Sequence, residues 1–103
     1  MKNKRVMILI TVNFYPSAKH KEDFVLAFNK LAEASRKEDG CIMYDIYPKG
    51  DGSSEFFLIE KWESKTKLDA HSASEHFTEF MNAPKEWYEK ETKITVYNAK
   101  EIE

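Results

Sequence analysis

Two histidines five residues apart, His71 and His76, are the side chains of this sequence best suited to moving protons. A free imidazole titrates near pH 6.5, so at neutral pH it is mostly an available base. His71 follows Leu68 by one helical turn, which directs it toward the buried side of its helix. There it can act as a proton acceptor, or it can be a helix-end ring that bonds a backbone carbonyl and packs. His76 precedes Phe80 by one turn and can orient a substrate oxygen or sit half-buried. As a metal pair the two are weak, because a helix break separates them and the sequence offers no apparent third ligand. His20, in the charged opening of an earlier helix, reads as a solvated surface residue.

Asn13 is the one amide in an otherwise apolar strand, so it either lies near the strand end in water or lines a wet pocket. Glu60 alternates with Leu58 and Trp62, and a structural ion pair, within the chain or across a dimer, is the reading that alternation favours. Trp62, Trp87, Tyr44, Phe77, Phe80 and Met81 can line a cavity for a flat ligand, although aromatic residues at helical spacing are more often plain core. Cys41 is the single cysteine. It reads as a small buried hydrophobe with no activating base beside it, and it leaves no internal disulfide and no cysteine cluster for zinc, which suits a reducing cytoplasm.

These residues need elements to hold them. The chain has 103 residues, with 16 basic against 18 acidic side chains, 42% apolar residues, and only three Gly and three Pro. That is a single folded domain over residues 1–103. A net charge of −2 argues against a nucleic-acid binder. No apolar run approaches the roughly 20 residues that cross a bilayer. The start, Met1 to Arg5 followed by Val6 to Ile10, superficially imitates a signal peptide, but polar Thr11 and Asn13 interrupt it, and a first strand is the better reading.

Val6 to Phe14 reads as a strand with an apolar face at even positions. Phe24, Phe28 and Leu31 mark an amphipathic helix over Lys19 to Lys37, with Gly40 as its stop. Cys41 to Pro48 and Glu55 to Trp62 are strands joined by Gly50-Asp51-Gly52-Ser53-Ser54 as a hairpin. Ser64 caps a helix through Ser72, Ser74 caps another from Glu75, Pro84 interrupts the stretch, and Thr92 to Asn98 is a last strand. The order β-α-β-β-α-β predicts an α+β, ferredoxin-like split βαβ fold, an antiparallel four-stranded sheet with its helices on one face. The other face is not polar, so two chains are expected to pack sheet against sheet as a homodimer.

The assembled pattern resembles the antibiotic biosynthesis monooxygenase (ABM) family of dimeric α+β barrels from Val6 to about Asn98. The residues that carry the resemblance are Ile59-Glu60-Lys61-Trp62-Glu63-Ser64, Leu68-Asp69-Ala70-His71 and Ser74-Glu75-His76-Phe77, with Glu38-Asp39-Gly40-Cys41 and Tyr44-Asp45 in support. Glu75 departs from the proline common in relatives. The resemblance implies a cytoplasmic oxidoreductase that oxidises a small electron-rich aromatic, a quinol or polyphenol, with molecular oxygen and commonly without metal, flavin or haem. It implies His71 as acceptor of a phenolic proton, His76 or Asn13 positioning an oxygen, and a substrate cavity of Trp62, Tyr44, Phe77, Phe80 and Met81. Two alternatives stand beside it. One is haem degradation, although His71 falls where those relatives have Trp and Met81 where they have the iron-binding His. The other is a non-catalytic ligand-binding or stress-related dimer.

Overall fold

Strand β1 (Val6–Phe14) buries Ile8, Ile10, Val12 and Phe14, leaves Val6 exposed where the strand starts, and keeps the odd positions partly open, as a period of two requires in a sheet covered on one side. The computed structural model describes residues 6–102. The basic start of the signal-like segment, Met1 to Arg5, lies outside the described residues.

Helix α1 (Lys21–Arg36) follows a 3-10 turn at Ala18–His20, whose backbone the Ser17 hydroxyl caps. Phe24, Phe28, Leu31, Ala32 and Ser35 form its buried stripe. Glu22 and Asp23 in the first turn and Arg36 in the last match the helix dipole. Arg36 donates from Nε and Nη2 to the carbonyl of Tyr44 at 3.1 and 2.7 Å, which fastens the end of α1 to β2 (Cys41–Pro48). The hairpin then leads to β3 (Phe56–Trp62), where Phe56, Leu58, Glu60 and Trp62 point inward.

Helix α2 (Lys65–Ser72) is capped by the Ser64 hydroxyl and α3 (Glu75–Met81) by that of Ser74. Pro84 ends this stretch and a short 3-10 turn (Lys85–Trp87) leads to β4 (Lys93–Lys100). The sheet order is β2-β3-β1-β4, antiparallel throughout. This is the ferredoxin-like α+β arrangement that the element order predicts. Differences are small: the first helix begins two residues later than its apolar spacing suggests because the 3-10 turn takes its opening, and β4 runs on to Lys100.

The core is aromatic. Phe14, Phe24, Phe28 and Phe80 meet with ring centroids 5.0 to 6.1 Å apart. β4 lies at the sheet edge beyond this packing, so its inward residues Ile94 and Val96 remain 51% and 55% exposed. Among the described residues no helix is long and apolar enough to cross a membrane.

Candidate functional site

Between β1 and β4 on one side and α2 and α3 on the other lies a cavity of about 310 Å³. Its apolar floor comes from Ile10 and Val12 of β1 and Ile94 and Val96 of β4, and its roof from Leu68, Phe77, Phe80 and Met81. Tyr44, Glu60 and His71 supply polar groups to this mostly greasy wall.

His71 is 1% exposed and sits at the end of α2. Its ring is wedged against Trp62 at 4.5 Å, Phe77 at 5.1 Å and Tyr44 at 5.6 Å between centroids. Nδ1 lies 2.6 Å from Glu38 Oε2, and the same oxygen lies 2.8 Å from His76 Nε2. A carboxylate only accepts, so both nitrogens carry their protons toward Glu38, and His71 keeps a bare lone pair on Nε2. That Nε2 is buried and has no hydrogen-bond partner among the described residues. Burial holds the His71 pKa below the ordinary 6.5 although the Glu38 carboxylate pulls it up, so the ring is neutral at pH 7. The geometry is that of a general base whose tautomer a carboxylate fixes.

Glu38 reaches this position from the turn that ends α1. Its N–H donates to the Ser35 carbonyl and its own carbonyl accepts from Cys41 N–H. Gly40 then reverses the chain at φ +91°, a conformation open to glycine at little cost. The Gly40 carbonyl accepts the Glu63 N–H at 2.8 Å, which ties the turn to the end of β3. Ser74 aligns the two histidines. Its hydroxyl donates to the His71 carbonyl at 2.6 Å and accepts from Phe77 N–H at 3.2 Å.

Glu38, His71 and His76 also form a possible metal-ligand set, one carboxylate oxygen and two ring nitrogens all within 4.8 Å of one another. Glu38 is thus the third donor that the histidine spacing does not reveal. The contacts of 2.6 and 2.8 Å are hydrogen bonds, shorter than the roughly 3.3 Å between donors that share an ion with bonds near 2.0 Å.

Glu60 is 5% exposed and accepts the Trp62 indole N–H at 2.8 Å, with no ion pair among the described residues. The ion pair read from its alternation is therefore replaced by a neutral donor. Burial pushes its carboxyl up to about 7, the nearby Glu38 charge adds to this, and the Trp62 bond opposes it. Burial and then the Glu60 charge push the Tyr44 phenol far up, so it stays protonated.

Of the residues singled out by sequence, Tyr44, His71, Phe77, Phe80 and Met81 meet at the cavity. Trp62 does not line it: wholly buried behind His71, it supports that ring and Glu60 instead. His76 borders a separate hollow between α1 and α3 and reaches the cavity group only through Glu38. Asn13 is set apart, because its register partners are Phe57 and Lys93 and it therefore projects from the sheet face opposite Val12. Trp87 stacks on His20 with centroids 6.4 Å apart, so neither matches the sequence reading of cavity wall or solvated side chain. The Cys41 thiol is pushed up to about 11, chiefly by burial, in keeping with an inert role.

Comparison with known proteins agrees with this fold. The chain is 28% identical over 80 residues to "Putative monooxygenase YcnE" of Bacillus subtilis, covering 78% of this chain and 84% of that protein. It spans 65% of the length of an uncharacterised Synechocystis protein, sll1783, at 28% identity over 96 residues. Among solved structures, Rv0793 from Mycobacterium tuberculosis superposes with a TM-score of 0.85 at 26% identity, covering 90% of this chain and 94% of that one. A conserved protein from Methanosarcina mazei Go1 superposes with a TM-score of 0.84 at 28% identity, over 90% and 92% of the two chains. The family model described as antibiotic biosynthesis monooxygenase matches residues 7–83, a span that contains Glu38, Tyr44, Glu60, His71 and His76 but not β4, and the chain belongs to that family.

Proposed function

We propose that this protein oxidises a small electron-rich aromatic, a quinol or polyphenol, with molecular oxygen, with no resident cofactor and with His71 as the base. The observation that carries the reading is the buried His71 Nε2, a lone pair without a partner in the wall of an apolar cavity. A phenolic O–H is a donor of the right size and polarity for it.

The steps balance without another reactant. His71 Nε2 takes the hydroxyl proton, and Glu38 stabilises the resulting imidazolium through Nδ1–H. The phenolate passes one electron to oxygen, giving a ring radical and superoxide, and these join as a carbon–oxygen bond. Loss of the ring C–H proton and cleavage of the O–O bond leave one oxygen on the ring and the other in water. A quinol plus oxygen thus gives a hydroxyquinone plus water. The buried inner walls, Ile10, Val12 and Phe80, favour this sequence by shielding the inner end of the cavity from bulk water.

The test is aerobic incubation with a panel of quinols, following oxygen uptake, quinone absorbance and incorporation of one atom from isotopically labelled oxygen. Uptake that His71→Ala abolishes is the expected outcome. Uptake unchanged by that substitution, or two-electron oxidation yielding only hydrogen peroxide, overturns the assignment. The homodimer belongs to the same reading, supported by the exposed Tyr47, Phe57 and Tyr97.

A further inference from the structure

The cavity holds a second ionisable group that the proton transfer to His71 does not use. Glu60 faces inward between Leu58 and Trp62, with Ile10 and Tyr44 as its partners across the strands. Its Oε1 accepts the Trp62 N–H, while Oε2 has no hydrogen-bond partner among the described residues. An isolated carboxylate in such surroundings is costly, and a neutral carboxyl carries an O–H in need of an acceptor. The groups around it supply no cation at close range. Tyr44 and Cys41 come from β2, Glu38 from the turn before it and His71 from α2; Lys85 and Tyr88 also line the cavity, but Glu60 forms no ion pair among the described residues.

We infer that Glu60 is a ligand-binding acid that donates its carboxyl O–H to an acceptor oxygen of the bound ring. The preferred ligand then carries two oxygen functions, a hydroxyl for His71 Nε2 and an acceptor oxygen for Glu60, the second hydroxyl oxygen of a quinol or, better, a conjugated carbonyl. The inference rests on His71 taking the hydroxyl proton, and it extends that chemistry. As the proton leaves, negative charge spreads through the ring to the far oxygen, where the Glu60 bond strengthens as charge develops. The carboxyl's upward shift to about 7 agrees with a donor that is present in neutral solution and lost in base.

Two probes separate the parts: 2-naphthol, which offers only the hydroxyl, and 6-acetyl-2-naphthol, which adds a carbonyl. Anaerobic binding to the whole protein is measured by calorimetry at about pH 6 and about pH 8. Both probes share the hydroxyl, so His71 titration cancels from their ratio. The wild type is expected to prefer the acetyl probe about tenfold at the lower pH, the equivalent of one good hydrogen bond, and to lose most of that preference at the higher. Glu60→Gln, whose amide also donates, keeps the preference at both pH values and corrects for titration of the probe itself. Glu60→Leu, suited to an apolar site and checked for folding by its melting curve, loses it at both. A preference that survives Glu60→Leu, or one in the wild type that grows with pH, overturns the inference. If the probes bind equally while oxygen uptake still depends on His71, only the role of Glu60 falls. If neither binds, both readings fall.

Discussion

In the proposed reaction His71 and Glu38 act as a unit in which one side chain takes the proton and the other, 2.6 Å from Nδ1, fixes which nitrogen receives it. Removing the base in His71→Ala is expected to lower kcat by a factor of about 10² to 10⁴, the range a positioned general base contributes. Glu38→Gln keeps the shape but removes the charge that raises the His71 pKa. The rate is expected to fall, and the acid limb of its pH profile, already centred below 6.5, is expected to move lower still. A packing role alone would leave that midpoint in place. Glu60 makes a separate prediction about stability. Its carboxyl is raised from 4.5 to about 7 in the folded chain, so the folded state holds the proton more tightly than the unfolded one. The resulting stabilisation is full below pH 4.5, declines as pH rises and is gone above about 7. Relative to wild type, Glu60→Leu should therefore gain about 3 kcal/mol between about pH 4 and about pH 8, read from urea unfolding at each.

The turns that carry these side chains are as specific as the side chains. Gly40→Ala places a Cβ at a left-handed φ and into the Lys67 side chain. It is expected to cost about 1 to 2 kcal/mol in urea unfolding and to lower activity with it, because the Glu38 turn must shift. Ser74→Ala removes an N-cap and should cost about 1 kcal/mol while loosening the link between the two histidines. The elements themselves were legible in the sequence because each rests on a local signal, such as the Phe24, Phe28 and Leu31 stripe, the serines before α2 and α3, and the glycine-rich hairpin. The site was legible only in part. Glu38 lies 33 residues from His71, and only the docking of α2 against the turn that follows α1, where Lys67 also pairs with Asp39, brings them together. Its position beside the Gly40 stop was the available clue. Asn13 was assigned to the site through family resemblance, although its odd position in β1 already placed it on the other face. The isolation of Glu60 could be read only once every nearby cation was known to be elsewhere.

The whole molecule is a thin slab, 19 Å across its shortest axis, made of one sheet and one layer of helices. The uncovered sheet face carries Tyr47, Phe57 and Tyr97, each at least 37% exposed, together with the half-buried Leu9 and Ile59. Pairing of two such faces should give a dimeric mass in light scattering, and Tyr47→Lys combined with Tyr97→Lys should give a monomer. On the opposite face, Ile94 and Val96 of β4 and Met81 of α3 are each more than half exposed where they border the cavity. In the proposed reading a planar molecule enters edge-on past this rim strand. An arm attached to its outer edge would trail into water, so a ring tethered to a resin by that edge would retain the protein, whereas the same ring tethered by its inner end would not.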